Sequence, residues 1–219
     1  MTSATSVLEQ SYMPEAAHAP SLVAPTGTLA PPAIPQAGPW PRWHAGQKVP
    51  AGLPVALAEA WLFVPDGRIV VLADATGTRF WLPSSSVQDG DNDPAFVNRG
   101  ASQQAQLDTE TPHYLGYATH IQEETNQHEA GMHVVYRTCA AVSLAAIVTN
   151  VQPSTPTPGY RQAFRRLRVT PHRAVALLGL GPAGHDRART ALTAAHTLWA
   201  VPTGSPSTID ELPSEGSSV

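Results

Sequence analysis

One stretch between two apolar regions carries most of the side chains that could do chemistry. It contains alternating acids in QDGDNDP, then an arginine and two glutamines: Asp89, Asp91, Asp93, Arg99, Gln103 and Gln104. Residues 94–105 have apolar side chains near helical spacing, and Asp93 is available as a cap before a first-turn proline. The stretch is therefore predicted to be a polar loop followed by a helix with a charged and amide-rich face.

The alternating acids also have a simpler interpretation. They look like a calcium loop, but the length and downstream glutamate of an EF-hand are absent, so a solvated turn is favoured. Asp91 alone remains a candidate metal ligand. Its candidate partners are acids of neighbouring segments: Glu110, Glu123 and Glu124.

Histidines surround the polar segment QEETNQHEAG further along the chain. The spacing of His120, His128, Glu129 and His133 matches no strong zinc pattern, so solvated histidines are the simpler interpretation. If this segment covers a pocket, His120, at the end of a predicted strand, is the candidate general acid or base. Its ordinary pKa lies near neutrality, which suits that role.

Predicted strands and helices position these residues. Short apolar runs separated by PDG and DATG predict an antiparallel meander of ALAEAWLFV, RIVVLA and TRFWL. HYLGYATH and HVVYRTCAAVSLAAIV predict two further strands, the second of them central because it is almost continuously apolar, with QEETNQHEAG as the loop between them. GYRQAFRRLRV and DRARTALTAAHTLWAV have helical periodicity. The arginines around the first of these are expected on a solvated helical face, with a phosphate or an acidic partner as the alternative: Arg161, Arg165, Arg166, Arg168 and Arg173.

The strand ending at Trp81-Leu82-Pro83, the loop after it and the amide-rich helix together resemble the Nudix box, whose pattern is G-x5-E-x7-R-E-U-x-E-E-x-G-U, with U a bulky aliphatic residue. With Ser85 at the first glycine, Asp91 takes the place of the first glutamate and Gly100 that of another. Gln103 and Gln104 stand at the paired glutamates. Arg99 and Leu107 match strictly. FVPDGRIVVLAD, HYLGY and the segment from FRRLRV to HTLWAVP extend the resemblance to a bacterial Nudix subgroup, over roughly residues 53–202.

The resemblance implies an α+β fold, the Nudix fold, in which a mixed β-sheet is sandwiched between helices as α/β/α layers. In that family the box glutamates hold Mg²⁺ against a diphosphate, and the metal neutralises phosphate charge and activates water. Two neutral amides and a glycine at those places remove the charge that attracts the cation. No cofactor is therefore expected; Mg²⁺ is disfavoured and would have Asp91 as its ligand.

The candidate site residues follow from these arguments. The catalytic candidates are Asp91, Arg99 and His120. The ligand-binding candidates are Gln103, Gln104, Trp61, Trp81, Glu123 and Glu124. The two tryptophans lie in strands expected to flank the pocket, where an indole can stack on a base or ring; core packing is the alternative for both.

Composition indicates where the ordered domain begins and ends and which class of partner is disfavoured. Residues 1–45 are Pro/Ala-rich and predict a disordered arm, although Trp40 and Trp43 would pack against the domain; residues 46–202 form the domain, and 203–219 a disordered acidic tail. A formal charge of −4 and a pI near 6.1 argue against nucleic acid as a partner. Cys139 is the single cysteine, a packed thiol suited to a reducing cytoplasm, and no apolar run is long enough to cross a membrane.

Three hypotheses for function remain open. The first is a Nudix-fold protein with a degraded magnesium box that binds a nucleotide-like or other small ligand, as a sensor or accessory protein, without the usual pyrophosphohydrolase activity. The second is a repurposed metal-independent enzyme of specialised metabolism, a cyclase, isomerase or hydrolase. The third is a weak Nudix hydrolase of a nucleoside diphosphate derivative. A homodimer is left open.

Overall fold

The computed structural model describes residues 41–87, 102–128, 131–152, 164–204 and 206–212, and of residues 122–128 and 131–136 it describes the backbone alone. Within these ranges it contains ten strands: β1 (Arg42–Ala45), β2 (Val55–Phe63), β3 (Ile69–Asp74), β4 (Phe80–Trp81), β5 (Ser84–Ser86), β6 (Leu107–Thr109), β7 (His113–His128), β8 (Gly131–Val151), β9 (Phe164–Val169) and β10 (Asp210–Glu211). The helical segments are α1 (102–105), α2 (Pro171–Leu177) and α3 (Gly181–Trp199).

The strands form one sheet with the order β1-β7-β8-β2-β3-β9-β10, to which β4, β5 and β6 are attached at β3, β2 and β8. The pairing of β2 with β8 is parallel, and the other pairings are antiparallel. The predicted mixed sheet is therefore confirmed. The predicted central position of the long apolar strand is also seen, since β8 lies between β7 and β2.

Side chains of β2 alternate between the two faces of the sheet, and both faces are covered. Trp61 and Phe63 pack with Val175 of α2 in one core. Leu62 packs on the opposite face with Ala105 of α1. Helical residues thus lie on both faces, but on the α1 face the described helical residues are 102–105 only, so the predicted sandwich is seen in part. None of the described helices has the length and apolar composition needed to span a bilayer.

Two local predictions are wrong. The segment FRRLRV forms β9 rather than a helix: Leu167 and Val169 alternate with arginines and enter the core, while the whole strand pairs with β3. The polar segment after His120 is not a loop, because residues 121–128 continue β7 and pair in register with residues 131–138 of β8. The spacing of the arginines in the first segment resembles that of a helix, and the polarity of the second segment resembles that of a loop. Neither pattern reveals which strand edge is available for pairing.

Strands also form in the segments that the sequence assigned to the arm and to the tail. Residues 42–45, assigned by sequence to the arm, form β1 and pair with β7, and Trp43 packs against the core beneath α3. In the segment assigned to the tail, residues 210–211 form β10 on the edge of β9, and Leu212 is buried with an exposed fraction of 4%. Residues 1–40 and 213–219 lie outside the described residues.

Candidate functional site

The side chain of Gln104 connects α1 to the strand that follows Trp81-Leu82-Pro83. Its Oε1 accepts a hydrogen bond from the backbone N–H of Ser84 at 2.8 Å. Ser84 lies in β5, which pairs with β2 opposite Glu59. The neighbouring Gln103 is exposed. The two amides of the predicted site therefore have different surroundings, one engaged in the fold and one facing solvent.

The C-terminal end of α1 is held by a buried arginine. Arg166 Nη1 donates to the carbonyl oxygens of Gln106 at 3.2 Å and Gln152 at 3.0 Å. Burial lowers the pKa of Arg166 and the charge of Glu211 opposes that shift. Ser102 and Thr109 join the start of α1 to β6 through their hydroxyl oxygens, 3.1 Å apart. The start of α1 is thus fixed by β6, and its end by β9 and by the residue that follows β8.

Several candidate residues fall where the structure gives no side-chain description. Asp91 and Arg99 lie outside the described residues, as do Asp89, Asp93 and Gly100. Glu123 and Glu124 lie on β7, opposite Tyr136 and Val135 in register, and their side chains are not described. The roles predicted for these residues stay predictions.

The two tryptophans occupy different environments. Trp61 has no exposed surface and lies in the core beneath α2 and α3, where the packing interpretation accounts for it. Trp81 is half-buried, packs on the α1 side of the sheet and lines a small recess beside Glu59. Of the two, Trp81 is therefore the one with exposed surface.

A buried polar cluster that the sequence did not reveal lies on the other face, between β2, β8 and α3. Arg187 Nη2 donates to Glu59 Oε2 and, at 3.0 Å, to Ser143 Oγ. The exposed fractions are 4% for Arg187, 6% for Glu59 and 0% for Ser143. The guanidinium carbon of Arg187 lies 5.8 Å from the ring centroid of Trp43, within cation–π range. The sequence signals were a single acid in ALAEAWLFV and an arginine in an alanine-rich helix, and neither indicates its partner.

His120 lies at the border of this cluster. Burial lowers its pKa, the carboxylate of Glu59 opposes that shift, and the guanidinium of Arg187 adds to the lowering. Below its folded pKa the imidazole would be charged, so a lowered pKa favours the neutral ring near pH 7. His120 can therefore accept a proton, as a general base must.

The described part of the chain contains a small recess and an open groove. The recess at Glu59 has a volume of about 20 Å³, enough for one water molecule. An open groove of about 650 Å³ lies between residues 109–113 and the end of α3, with Leu198 and Trp199 on one side and Glu110 on the other. Its volume is in the range of small-ligand sites.

The oxygen ligands described near α1 come from neutral side chains. The side-chain carbonyl oxygen of Gln104 already accepts a hydrogen bond from the Ser84 N–H, and Gln103 is neutral. Among the described residues, no three His, Cys, Asp or Glu side chains converge closely enough to hold a metal. Asp91 lies outside the described residues.

Comparison with known proteins finds similarity among solved structures. No protein-family model matches the chain, and no curated protein matches it in sequence. Among solved structures, the chain is similar to a Nudix hydrolase from M. smegmatis, RenU, with 16% sequence identity and a TM-score of 0.37, over 72% of this chain and 97% of that one. At this TM-score the two folds overlap too loosely for residue roles to be transferred.

Proposed function

We propose that the chain is a Nudix-type protein that binds a nucleotide-like small ligand and does not hydrolyse it by the usual magnesium mechanism. The observation that supports this most directly is the hydrogen bond from the Ser84 N–H to Gln104 Oε1. The side chain at a place where the Nudix box has a glutamate is here neutral and holds the preceding strand in position.

The electrostatic reason is simple. Mg²⁺ keeps several waters and is attracted to proteins mainly by carboxylates and substrate phosphates. An amide has a similar shape but no net charge, and in a partly enclosed site the Coulomb attraction is the main contribution. Replacing two carboxylates by Gln103 and Gln104 preserves the shape of this surface and lowers its affinity for a cation.

Calorimetric titration of the full chain tests the binding. The panel is ADP-ribose, NAD, nucleoside diphosphates and sugar nucleotides, each with and without Mg²⁺. We expect one class to bind with an affinity that added Mg²⁺ changes little, and incubation with the same compounds to release no phosphate-containing product. Absence of binding across the panel would refute a retained nucleotide pocket, and metal-dependent turnover abolished by Asp91→Asn would establish the weak-hydrolase hypothesis instead.

The second candidate function, a metal-independent enzyme, is favoured by His120. A half-buried imidazole with a lowered pKa, within electrostatic reach of Glu59 and Arg187, has the properties of a general base. Under this hypothesis, His120→Gln would abolish turnover of a metabolite while leaving the fold intact. Under the binding hypothesis the unaltered chain turns over no metabolite, so the same variant would cause no loss of turnover.

A further inference from the structure

The last described segment, residues 206–212, lies on the sheet edge in the manner of a bound peptide. β10 pairs with β9 in antiparallel register, with Asp210 opposite Arg168 and Glu211 opposite Leu167. The backbone N–H of Leu212 then donates to the carbonyl oxygen of Arg166 at 2.8 Å. Addition of an extended segment to an exposed strand edge is a recurring mode of peptide recognition, in which the backbone supplies affinity and side-chain pockets supply selectivity.

Arginines on the receiving surface match the acids of the segment. Arg68 Nη1 lies 2.5 Å from Asp210 Oδ2, and Arg168 Nη2 lies 3.6 Å from the same oxygen. Arg165 contacts Glu211 Oε2 through two nitrogens, at 3.0 and 2.8 Å. The acidic side chains at two consecutive positions of the segment are thus both paired with arginines. A charge-assisted arginine–carboxylate pair is stronger and more selective than a neutral hydrogen bond.

An apolar socket accepts the next residue. Leu212 is 4% exposed and packs in the core on the α1 side, in contact with the cluster that contains Ala105 and Leu107. Arg68 also reaches the upstream part of the segment, since its Nη1 is 3.4 Å from the carbonyl oxygen of Thr208. The surface therefore recognises an order of side chains, acid, acid and leucine, on an extended backbone.

Part of the segment is held weakly. Its strand pairing is two residues long, and the Arg165–Glu211 pair is about half exposed on both sides. Exposed ion pairs contribute little and weaken with salt.

We propose that the edge of β9, with Arg68, Arg165, Arg168 and the Leu212 socket, is a docking site for an extended acid-acid-leucine segment of a partner protein. Residues 208–212 are its resident occupant in the free chain and compete with the partner. Because a tethered segment has a high effective concentration, the site is available only when the partner outcompetes it or when the tail is unseated.

The test uses the full chain and a fluorescent peptide with the sequence of residues 206–214, PSTIDELPS. In the variant Asp210→Lys/Glu211→Lys the tail is repelled by the arginines, so the site should be open. Fluorescence anisotropy should show peptide binding to this variant at least about tenfold tighter than to the unaltered chain, since the tethered tail no longer competes. The neutral peptide PSTINQLPS should bind about tenfold more weakly than the acidic one.

Matched arginine variants locate the binding surface. Arg165→Gln, added to the tail-reversed chain, should weaken peptide binding, whereas Arg189→Gln should not. Both arginines are exposed and ion-paired, but Arg189 pairs with Asp186 on α3, away from β9. Circular dichroism verifies folding, and Asp210→Asn/Glu211→Gln replaces the lysine variant if that one does not fold.

Three results would overturn the proposal. The first is that the folded, tail-unseated chain binds no acidic peptide, and the second is that it binds the neutral peptide equally well. The third is that light scattering shows the unaltered chain to be a dimer that Asp210→Lys/Glu211→Lys disrupts, in which case the occupant in trans is the tail of a second copy and not a partner protein.

Discussion

The guanidinium of Arg187 on α3 and the carboxylate of Glu59 on β2 form an ion pair in the protein interior, where both side chains are more than nine-tenths buried. Ser143 of β8 supplies a third polar group to this cluster. The cluster connects the helix to two strands of the sheet. Removing either charge alone would leave the other buried without its partner, which is more costly than removing both.

Arg187→Met should therefore lower the free energy of unfolding by about 3–5 kcal/mol, as expected when one member of a buried pair is removed. The double variant Glu59→Gln/Arg187→Met should recover a large part of that loss, because no charge remains in this cluster. Chemical denaturation of the three chains measures both effects.

Arg189→Met is the matched control, since Arg189 lies two residues further along α3 and forms an exposed pair with Asp186. Its effect should be at most about 1 kcal/mol. Equal effects of Arg187→Met and Arg189→Met would show that the buried pair does not stabilise the packing of α3.

Gln104→Ala should destabilise the chain because it removes the acceptor for the Ser84 N–H. A partly buried donor left without a partner costs about 1–3 kcal/mol. Gln103→Ala, at the exposed neighbouring position, should change stability by about 0.5 kcal/mol or less. Thermal unfolding of the pair measures the difference, and similar melting temperatures for the two variants would contradict a structural role for Gln104.

Sequence reasoning succeeded where one pattern had one structural meaning. The long apolar run of β8 can be stable only in a covered central strand, and the alanine-rich segment of α3 has both the propensity and the length for a helix. The turn sequence DATG likewise lies between β3 and β4, where Asp74 accepts hydrogen bonds from the backbone of Thr78 and Arg79.

Sequence reasoning failed where the structure of a segment depends on a partner that is distant in the sequence. β9 is a strand because β3 offers a free edge, and the acids of β10 are ordered because three arginines lie opposite them. Glu59 and Arg187 are 128 residues apart, so a single sequence does not indicate their pairing. Of the predicted site, Gln104 has a described contact, whereas the catalytic candidates Asp91 and Arg99 lie outside the described residues.

His120 should titrate below the ordinary histidine value of 6.5, because burial and Arg187 lower its pKa more than Glu59 raises it. Between the folded pKa and 6.5 the unfolded chain binds more protons, so this residue makes stability fall as the pH drops through that window. NMR titration of the imidazole measures the midpoint. In His120→Gln the corresponding part of the pH dependence of stability should disappear, and a midpoint at or above 6.5 would contradict the burial argument.

Asp74 should make the chain sensitive to strong acid. Burial acts to raise its pKa, but hydrogen bonds from the Arg79 and Thr78 backbone and from the hydroxyls of Thr76 and Thr78 outweigh it and lower the pKa to about 2. The folded state therefore favours the carboxylate. The resulting stability is fully present above the unfolded value of 3.8 and is lost as the pH falls through about 2.

Asp74→Asn should accordingly lower the melting temperature at pH 7 and reduce its decline between about pH 4 and pH 2, the interval set by the unfolded and folded pKa values. Asp186→Asn is the control, because Asp186 lies on the exposed side of α3 and accepts from Arg189 within its own helix. Calorimetric scans across this pH range compare the two variants with the unaltered chain. If Asp74→Asn retained the full acid dependence, the hydrogen bonds of the DATG turn would not be the source of the carboxylate's stabilisation, and other acids with lowered pKa values, Asp66 and Asp210, would have to account for it.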